Sequence, residues 1–463
     1  MFFIFAIVIA AVLALAAVTG GPSHAMRVAW LSMLFVPSWL ARGVGSMTVD
    51  LRMVTVVMVV PIAIFGGRLV RRLNLIDAMV FLFLGIGITS LFQSDSASPT
   101  EVAAVLGTLL LPYFFGRILI GSLADLRALV PWACAACIGL SVWSVFESTT
   151  KINPINVLAQ RTGSFNSESG NRMNLRRAEG PLGHPIYFGM TLAMLFPWAA
   201  EGARLARKRR LSPVFLLTPV LCVLGVFGTM SRGPMLALAA SAVAALFFYL
   251  PLLRLPLIGS ALLGGLLMFS IWPTVVEQLE SFSGEKAEYV VNIQGKDHAY
   301  TGTKHRELLY YVYADAMEQA AWLGHGKWGS KITHEIMLEP HLRAQFRSID
   351  NHYILLQLSW GLLGLGAFLM LGVMVVGGGS LLAIYIDPED RLLIGGITGS
   401  IAAIMLLLLT VWLASDFGFV WLMLVGMLSS AITAWMNRSS SQPAVSPVPI
   451  PAAVPLTVSF GPS

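Results

Sequence analysis

Charge is what this sequence has least of. Asp, Glu, Lys and Arg make up 12% of its 463 residues, against about 25% in soluble domains. Most of its surface is therefore matched to a solvent other than water. Cysteine is scarce as well: Cys134, Cys137 and Cys222 all lie inside apolar runs. The Cys134-x-x-Cys137 spacing suits a redox or zinc pair, yet within an apolar run it reads as two small packed side chains. There is no Walker loop and no GxGxxG fingerprint, which argues against nucleotide-driven transport. The loop histidines at 298, 305, 325, 334 and 341 show neither H-x-x-x-H nor E-x-x-H spacing, so no metal site and no cofactor are expected. The net charge of +6 could suggest nucleic acid, but the basic residues sit in short loops between apolar runs, where they signal membrane topology.

What is present in abundance is hydrocarbon. Hydrophobic residues reach 56%, in repeated runs of roughly 16 to 21 residues that suit a core about 30 Å thick. Their continuity indicates helices, since barrel strands alternate apolar and polar. The fold class is therefore all-α: a polytopic membrane helical bundle of about 12 or 13 transmembrane helices. Candidate spans are 2–19, 27–41, 51–66, 75–93, 102–121, 128–147, 181–200, 211–229, 233–251, 256–275, 351–376, 391–412 and 416–436. The second and third are short and contain proline, so one of them could be re-entrant. The first lacks a basic leader and reads as a retained helix. The chain then divides into N-terminal helices (1–275), one large polar loop with an amphipathic helix (276–350), C-terminal helices (351–436) and a Pro-rich tail (437–463) that reads as disordered.

Lys and Arg in short loops set the orientation. Arg68, Arg71 and Arg72 mark one inner loop, and Arg204, Arg207, Lys208, Arg209 and Arg210 mark another. Alternation from these anchors puts 148–180, 230–233, 276–350 and Asp416 outside and the tail inside. Arg117 is expected to snorkel to the inner side, and Asp416 to neutralise an outer arginine. Arg176, Arg177, Arg232, Arg306 and His352 then share the outer face, though they come from segments far apart in sequence. Guanidinium groups keep their charge and bind phosphate bidentately, so the implied substrate is anionic and phosphate-bearing.

Each motif also has a plainer reading. Arg177-Ala178-Glu179-Gly180-Pro181-Leu182-Gly183-His184-Pro185 could be a loop whose arginines anchor at headgroups, with His184 a satisfied hydrogen-bonding residue. Arg232, in the turn Gly228-Thr229-Met230-Ser231-Arg232-Gly233-Pro234, must snorkel or meet an anion. Arg306 opens a stretch, Lys304 to Ala316, with apolar residues at helical spacing; it reads as an amphipathic helix on the membrane surface, its aromatics serving packing. His352 stands at a helix mouth beside the polar loop, where an imidazole could act as a base.

These motifs together resemble the O-antigen ligase and polysaccharide polymerase superfamily of bacterial membranes. The match rests on the R-A-E-G-P-x-G-H-P element, the S-R-G-P turn, the loop with an arginine-led helix, and Asp350-Asn351-His352-Tyr353-Ile354-Leu355-Leu356 before a Gly-rich helix. The usual family order is histidine then asparagine; here Asn351 precedes His352. The resemblance implies a metal-independent glycosyltransferase of the inner membrane whose active site faces the periplasm. Its donor would be a polyprenyl-pyrophosphate-linked glycan, its acceptor a glycan or lipid, and its partners membrane lipid, a chain-length regulator and a flippase. It also implies that Arg177 and Arg306, with Arg232 and Arg176 behind them, hold the pyrophosphate, and that His352 deprotonates or orients the acceptor hydroxyl. A polymerase is preferred; a ligase to lipid A core or protein is the close alternative. A transporter or flippase would instead show related halves and midplane charges.

Overall fold

The computed structural model describes residues 2–441 apart from 38, 45–46, 69–71, 96, 159–174, 266, 268–288, 294 and 332. The chain is 76% helical. In order the helices are α1 (Phe2–Phe35), α2 (Leu51–Phe65), α3 (Leu75–Gln93), α4 (Pro99–Leu119), α5 (Leu123–Thr150), α6 (Pro185–Arg207), α7 (Pro213–Gly228), α8 (Arg232–Tyr249), α9 (Pro251–Gly265), α10 (Gly302–Val312), α11 (Ala314–Gln319), α12 (His352–Tyr385), α13 (Arg391–Leu407) and α14 (Ser415–Ser441). Besides a one-turn helix at Pro154–Leu158 and short 3-10 turns, there are two antiparallel hairpins: β1 (Ala41–Val44) with β2 (Met47–Asp50), and β3 (Tyr289–Ile293) with β4 (Lys296–Tyr300). Among the described residues, seven helices are long and apolar enough to cross a membrane, and α2, α7, α9 and α13 are shorter apolar helices. It is a polytopic, all-α membrane protein; the expected tail past residue 441, and the part of the polar loop before Tyr289, lie outside the described residues.

Two of the long helices fold back on themselves. In α1 the reversal is at Gly21 (φ 75°, ψ 179°): Phe2 and Ala6 share an apolar cluster with Val36 and Leu40, which a straight helix would hold roughly 45 Å apart at 1.5 Å per residue. The first two expected spans are thus two arms of one hairpin. In α12 the reversal is at Gly361 (φ 65°, ψ −167°). The His352 and Phe368 rings lie 5.1 Å apart, where an unbroken helix would separate them by about 24 Å. The expected single span 351–376 is therefore a short arm, His352 to Trp360, followed by a long helix running back beside it.

Ion pairs fix one end of the bundle and an apolar core the other. At one end Arg127 pairs with Asp390 at 2.5 Å, Arg68 with Asp125 at 2.8 Å, Arg204 with Glu201 at 2.6 Å, and Lys208 and Arg210 both with Glu389 at 3.3 Å. The basic loops expected to mark the inner side thus gather here. Arg117 does not snorkel as expected. It is buried against the equally buried Asp77 at 2.8 Å, which also accepts from the Tyr113 hydroxyl; this pairing satisfies a charge that the apolar surroundings would otherwise expel. At the opposite end the polar loop builds its own small core: Val291, Ile293, Leu308, Leu309, Tyr313, Leu342, Phe346 and Ile349 pack on Ile354 and Leu358 of the α12 arm. Helix α10 therefore buries Leu308 and Leu309 against protein, while its Tyr310 and Tyr311 stay half-exposed.

Candidate active site

The R-A-E-G-P element is held by one carboxylate. Glu147, buried in α5, accepts from the backbone N–H of Glu179 (3.2 Å) and Gly180 (3.0 Å) and from the Asn153 amide (3.2 Å). Arg176 faces Glu147 and Glu179 at 3.9 and 3.8 Å and donates to the Lys151 carbonyl. Its charge is thus balanced within the scaffold. Arg177, the next residue, points the other way: its Nη2 donates to Ser231 Oγ at 3.0 Å, while the Ala178 N–H bonds the Gly228 carbonyl. These contacts bring the element onto the α7–α8 turn, where Arg232 is exposed at the start of α8.

The second half of the site is organised by the segment 408–414 between α13 and α14. The His352 backbone N–H donates to the Leu408 carbonyl at 2.8 Å, and the Arg306 Nε to the Thr410 carbonyl at 3.1 Å. The Tyr187 hydroxyl donates to the Trp412 carbonyl at 2.8 Å, and the Leu413 N–H reaches His352 Nδ1 at 3.4 Å. Lys331 lies over the Trp412 ring at 4.6 Å, donates to Ser348 Oγ at 3.1 Å and faces Asp350 at 3.9 Å. Burial pushes this ammonium below its ordinary pKa while Asp350 opposes the shift. Asn351 caps α12, accepting from the Tyr353 and Ile354 N–H groups, and donates to the Tyr310 hydroxyl at 2.8 Å. The asparagine that precedes the histidine thus fixes the arm on which His352 sits.

His184 joins the two halves. It precedes α6, and its ring is 4.7 Å from that of Tyr187. It opens onto solvent, but surrounding protein and then the charge of Arg177 push its pKa down from 6.5 to about 4, with Asp350 opposing and Lys331 assisting. Its imidazole is therefore neutral at physiological pH. Asp416 accepts from the Phe417 N–H at 2.9 Å, while the fully buried Arg52 pairs with Asp50 at 2.6 Å.

Four of the five loop histidines turn out to be fasteners, while His298 stacks on Tyr311 with the rings 5.9 Å apart. His305 Nε2 donates to the Ser348 carbonyl at 3.0 Å, so its Nδ1 accepts from the Tyr300 hydroxyl; burial pushes this ring below the usual histidine range. His325, His334 and His341 each place a ring nitrogen on a backbone carbonyl, of Ala316, Ser330 and Asn292. No group of three metal-ligating side chains occurs among the described residues. Cys134 and Cys137 are buried helix-packing residues, with the Cys134 thiol against the Trp198 carbonyl.

Lys331, Trp412 and Tyr187 escaped the reading from sequence, and Asp350 was read only as part of the closing element. Trp412 and Tyr187 are single aromatics within apolar runs, with nothing to distinguish them from core. Lys331 is one basic residue in a polar loop; its position over Trp412 is a product of the fold.

A family model described as O-antigen ligase matches residues 217–369. The match supports the O-antigen ligase and polysaccharide polymerase superfamily. It spans about a third of the chain and encloses Arg232, Arg306 and His352, while Arg176 and Arg177 precede it. Members of the O-antigen ligase family are glycosyltransferase-like enzymes working with a lipid-linked glycan donor and a glycan acceptor in general. No curated protein matches the chain.

Proposed function

We propose that this protein is a polysaccharide polymerase of the bacterial inner membrane, joining polyprenyl-pyrophosphate-linked repeat units on the periplasmic face. The observation that carries the reading is the convergence of Arg306, His352, Lys331 and Tyr187 on one backbone segment, next to the Arg177–Ser231 turn. The acceptor hydroxyl oxygen attacks the anomeric carbon of the donor, the bond from that carbon to the pyrophosphate oxygen breaks, and the hydroxyl proton passes to the departing pyrophosphate. Arg177 and Arg306, with Arg232, stabilise the departing pyrophosphate, whose extra negative charge appears only as the bond breaks. Arg176 is tied to Glu147 and Glu179 and acts by orienting Arg177.

The hydrogen bond at His352 Nδ1 narrows that residue's part. A neutral ring accepting at Nδ1 carries its proton on Nε2, so Nε2 donates to the acceptor hydroxyl or a pyrophosphate oxygen and orients it. Activation is stored in the donor's pyrophosphate ester, so the scheme requires no metal; EDTA should leave transfer unchanged.

Deleting the gene and extracting the accumulated lipid-linked glycan tests the reading. Single repeat units are expected. Long chains that fail to reach a lipid or protein acceptor would identify a ligase, and a normal lipid-linked pool would remove the protein from this reaction class.

A further inference from the structure

A cavity of about 460 Å³ opens at the end of the bundle opposite the candidate active site. That volume lies in the usual range for ligand sites, about 300–1,000 Å³. Its walls carry three guanidinium groups: Arg68 and Arg72 from the stretch after α2, and Arg117 from the last turn of α4. The charges do not cancel. Arg68 is paired with Asp125 at 2.8 Å and Arg117 with Asp77 at 2.8 Å, whereas Arg72, exposed, donates to the neutral Asn437 amide oxygen at 2.7 Å. Arg117 stands in the wall with its Nη1 and Nη2 engaged by Thr433, the Arg72 carbonyl and Asp77.

We propose that this cavity binds the phosphodiester headgroup of an anionic phospholipid from the adjacent leaflet. Ile118, Ile120 and Ala434 give an apolar wall for the glycerol and the start of the acyl chains, while the Ser122 and Thr433 hydroxyls are spent on Asp125 and the Ser429 carbonyl. The cavity sits where the helices end, at headgroup depth, and basic pockets between membrane helices on the inner side are suited to such lipids. The chain's own C-terminal stretch is a poor competitor, since residues 442–463 contain no Asp or Glu.

Native mass spectrometry of the delipidated full-length protein, titrated with phosphatidylglycerol or phosphatidylcholine, tests the proposal. Phosphatidylglycerol should be retained in preference. Arg72→Gln should weaken it about fivefold, the usual effect of one basic residue at an anionic surface, and Arg72→Lys should restore most of the loss. Equal retention of the two lipids, or no change in Arg72→Gln, would overturn the proposal, provided the variant melts like the wild type in phosphatidylcholine. Inorganic phosphate that stabilises the protein in phosphatidylcholine discs and displaces phosphatidylglycerol would assign the site to a soluble phosphate and refute the lipid.

Discussion

Replacing Gly361 by Ala should detach His352 from the rest of the site without touching it. At Gly361 φ is +65°, and an added Cβ would stand 2.3 Å from the Trp322 carbonyl carbon and 2.5 Å from the Leu323 nitrogen. These are backbone atoms, pinned by the Leu362 and Leu363 N–H groups donating to the Ala321 and Trp322 carbonyls at 3.0 Å, so they cannot rotate away. The left-handed conformation costs an alanine about 1–2 kcal/mol, and forcing extra volume into a packed site adds about 1–3 kcal/mol. Opening the reversal relieves both penalties but swings the His352 arm away from Phe368 and the 408–414 segment. A displacement of about 1 Å at a reacting group is enough to cost about a hundredfold in rate. Gly366→Ala is the matched control, because Gly366 lies in the same helix and a Cβ added there would meet nothing within 4 Å. Both variants would be assayed for transfer from lipid-linked donor in reconstituted vesicles, with the amount of monodisperse protein after mild heating as the fold check. Gly361→Ala should lose at least most of its activity and some heat resistance, and Gly366→Ala neither. Equal activity in the two variants would refute the idea that the reversal positions His352.

The other expectations concern single side chains. His352→Ala should abolish transfer, while His352→Gln, which keeps an N–H donor, should retain a measurable fraction; an inactive Gln variant together with an active Glu variant would favour a proton acceptor. Arg177→Lys and Arg306→Lys should each fall more than about tenfold in transfer, because an ammonium cannot reproduce the bidentate fork; near-normal turnover would make them loop anchors. His184, held at about 4 when folded and near 6.5 when unfolded, contributes stability that is complete above pH 6.5 and lost as pH falls through 4. Melting curves of His184→Gln should therefore decline less than wild type over that window, and parallel curves would contradict it. Asp77→Asn should leave Arg117 buried without its counter-charge and cost about 3–5 kcal/mol, seen as a lower melting temperature in detergent; an unchanged melt would mean the pair is hydrated.

Some of this is legible in the sequence alone, and the rest is not. Long uninterrupted hydrocarbon and sparse charge compel membrane helices, because a backbone in lipid must bond itself. The crowding of histidine into one polar loop was visible too, but not that those rings staple carbonyls, since the partners are set by tertiary contacts. Arg176 and Arg177 are adjacent and chemically identical in sequence; only the fold turns one toward Glu147 and the other toward Ser231. Arg117 looked free to snorkel because its partner Asp77 lies 40 residues away in sequence on another helix. Hydropathy likewise reads 351–376 as one span, since a glycine is apolar whether it continues a helix or reverses it. Sequence thus determined the solvent and the chemical repertoire, which are local properties of side chains. Which charges are neutralised, and where His352 stands, depended on contacts between segments far apart in the chain, and these exist only once the helices have packed.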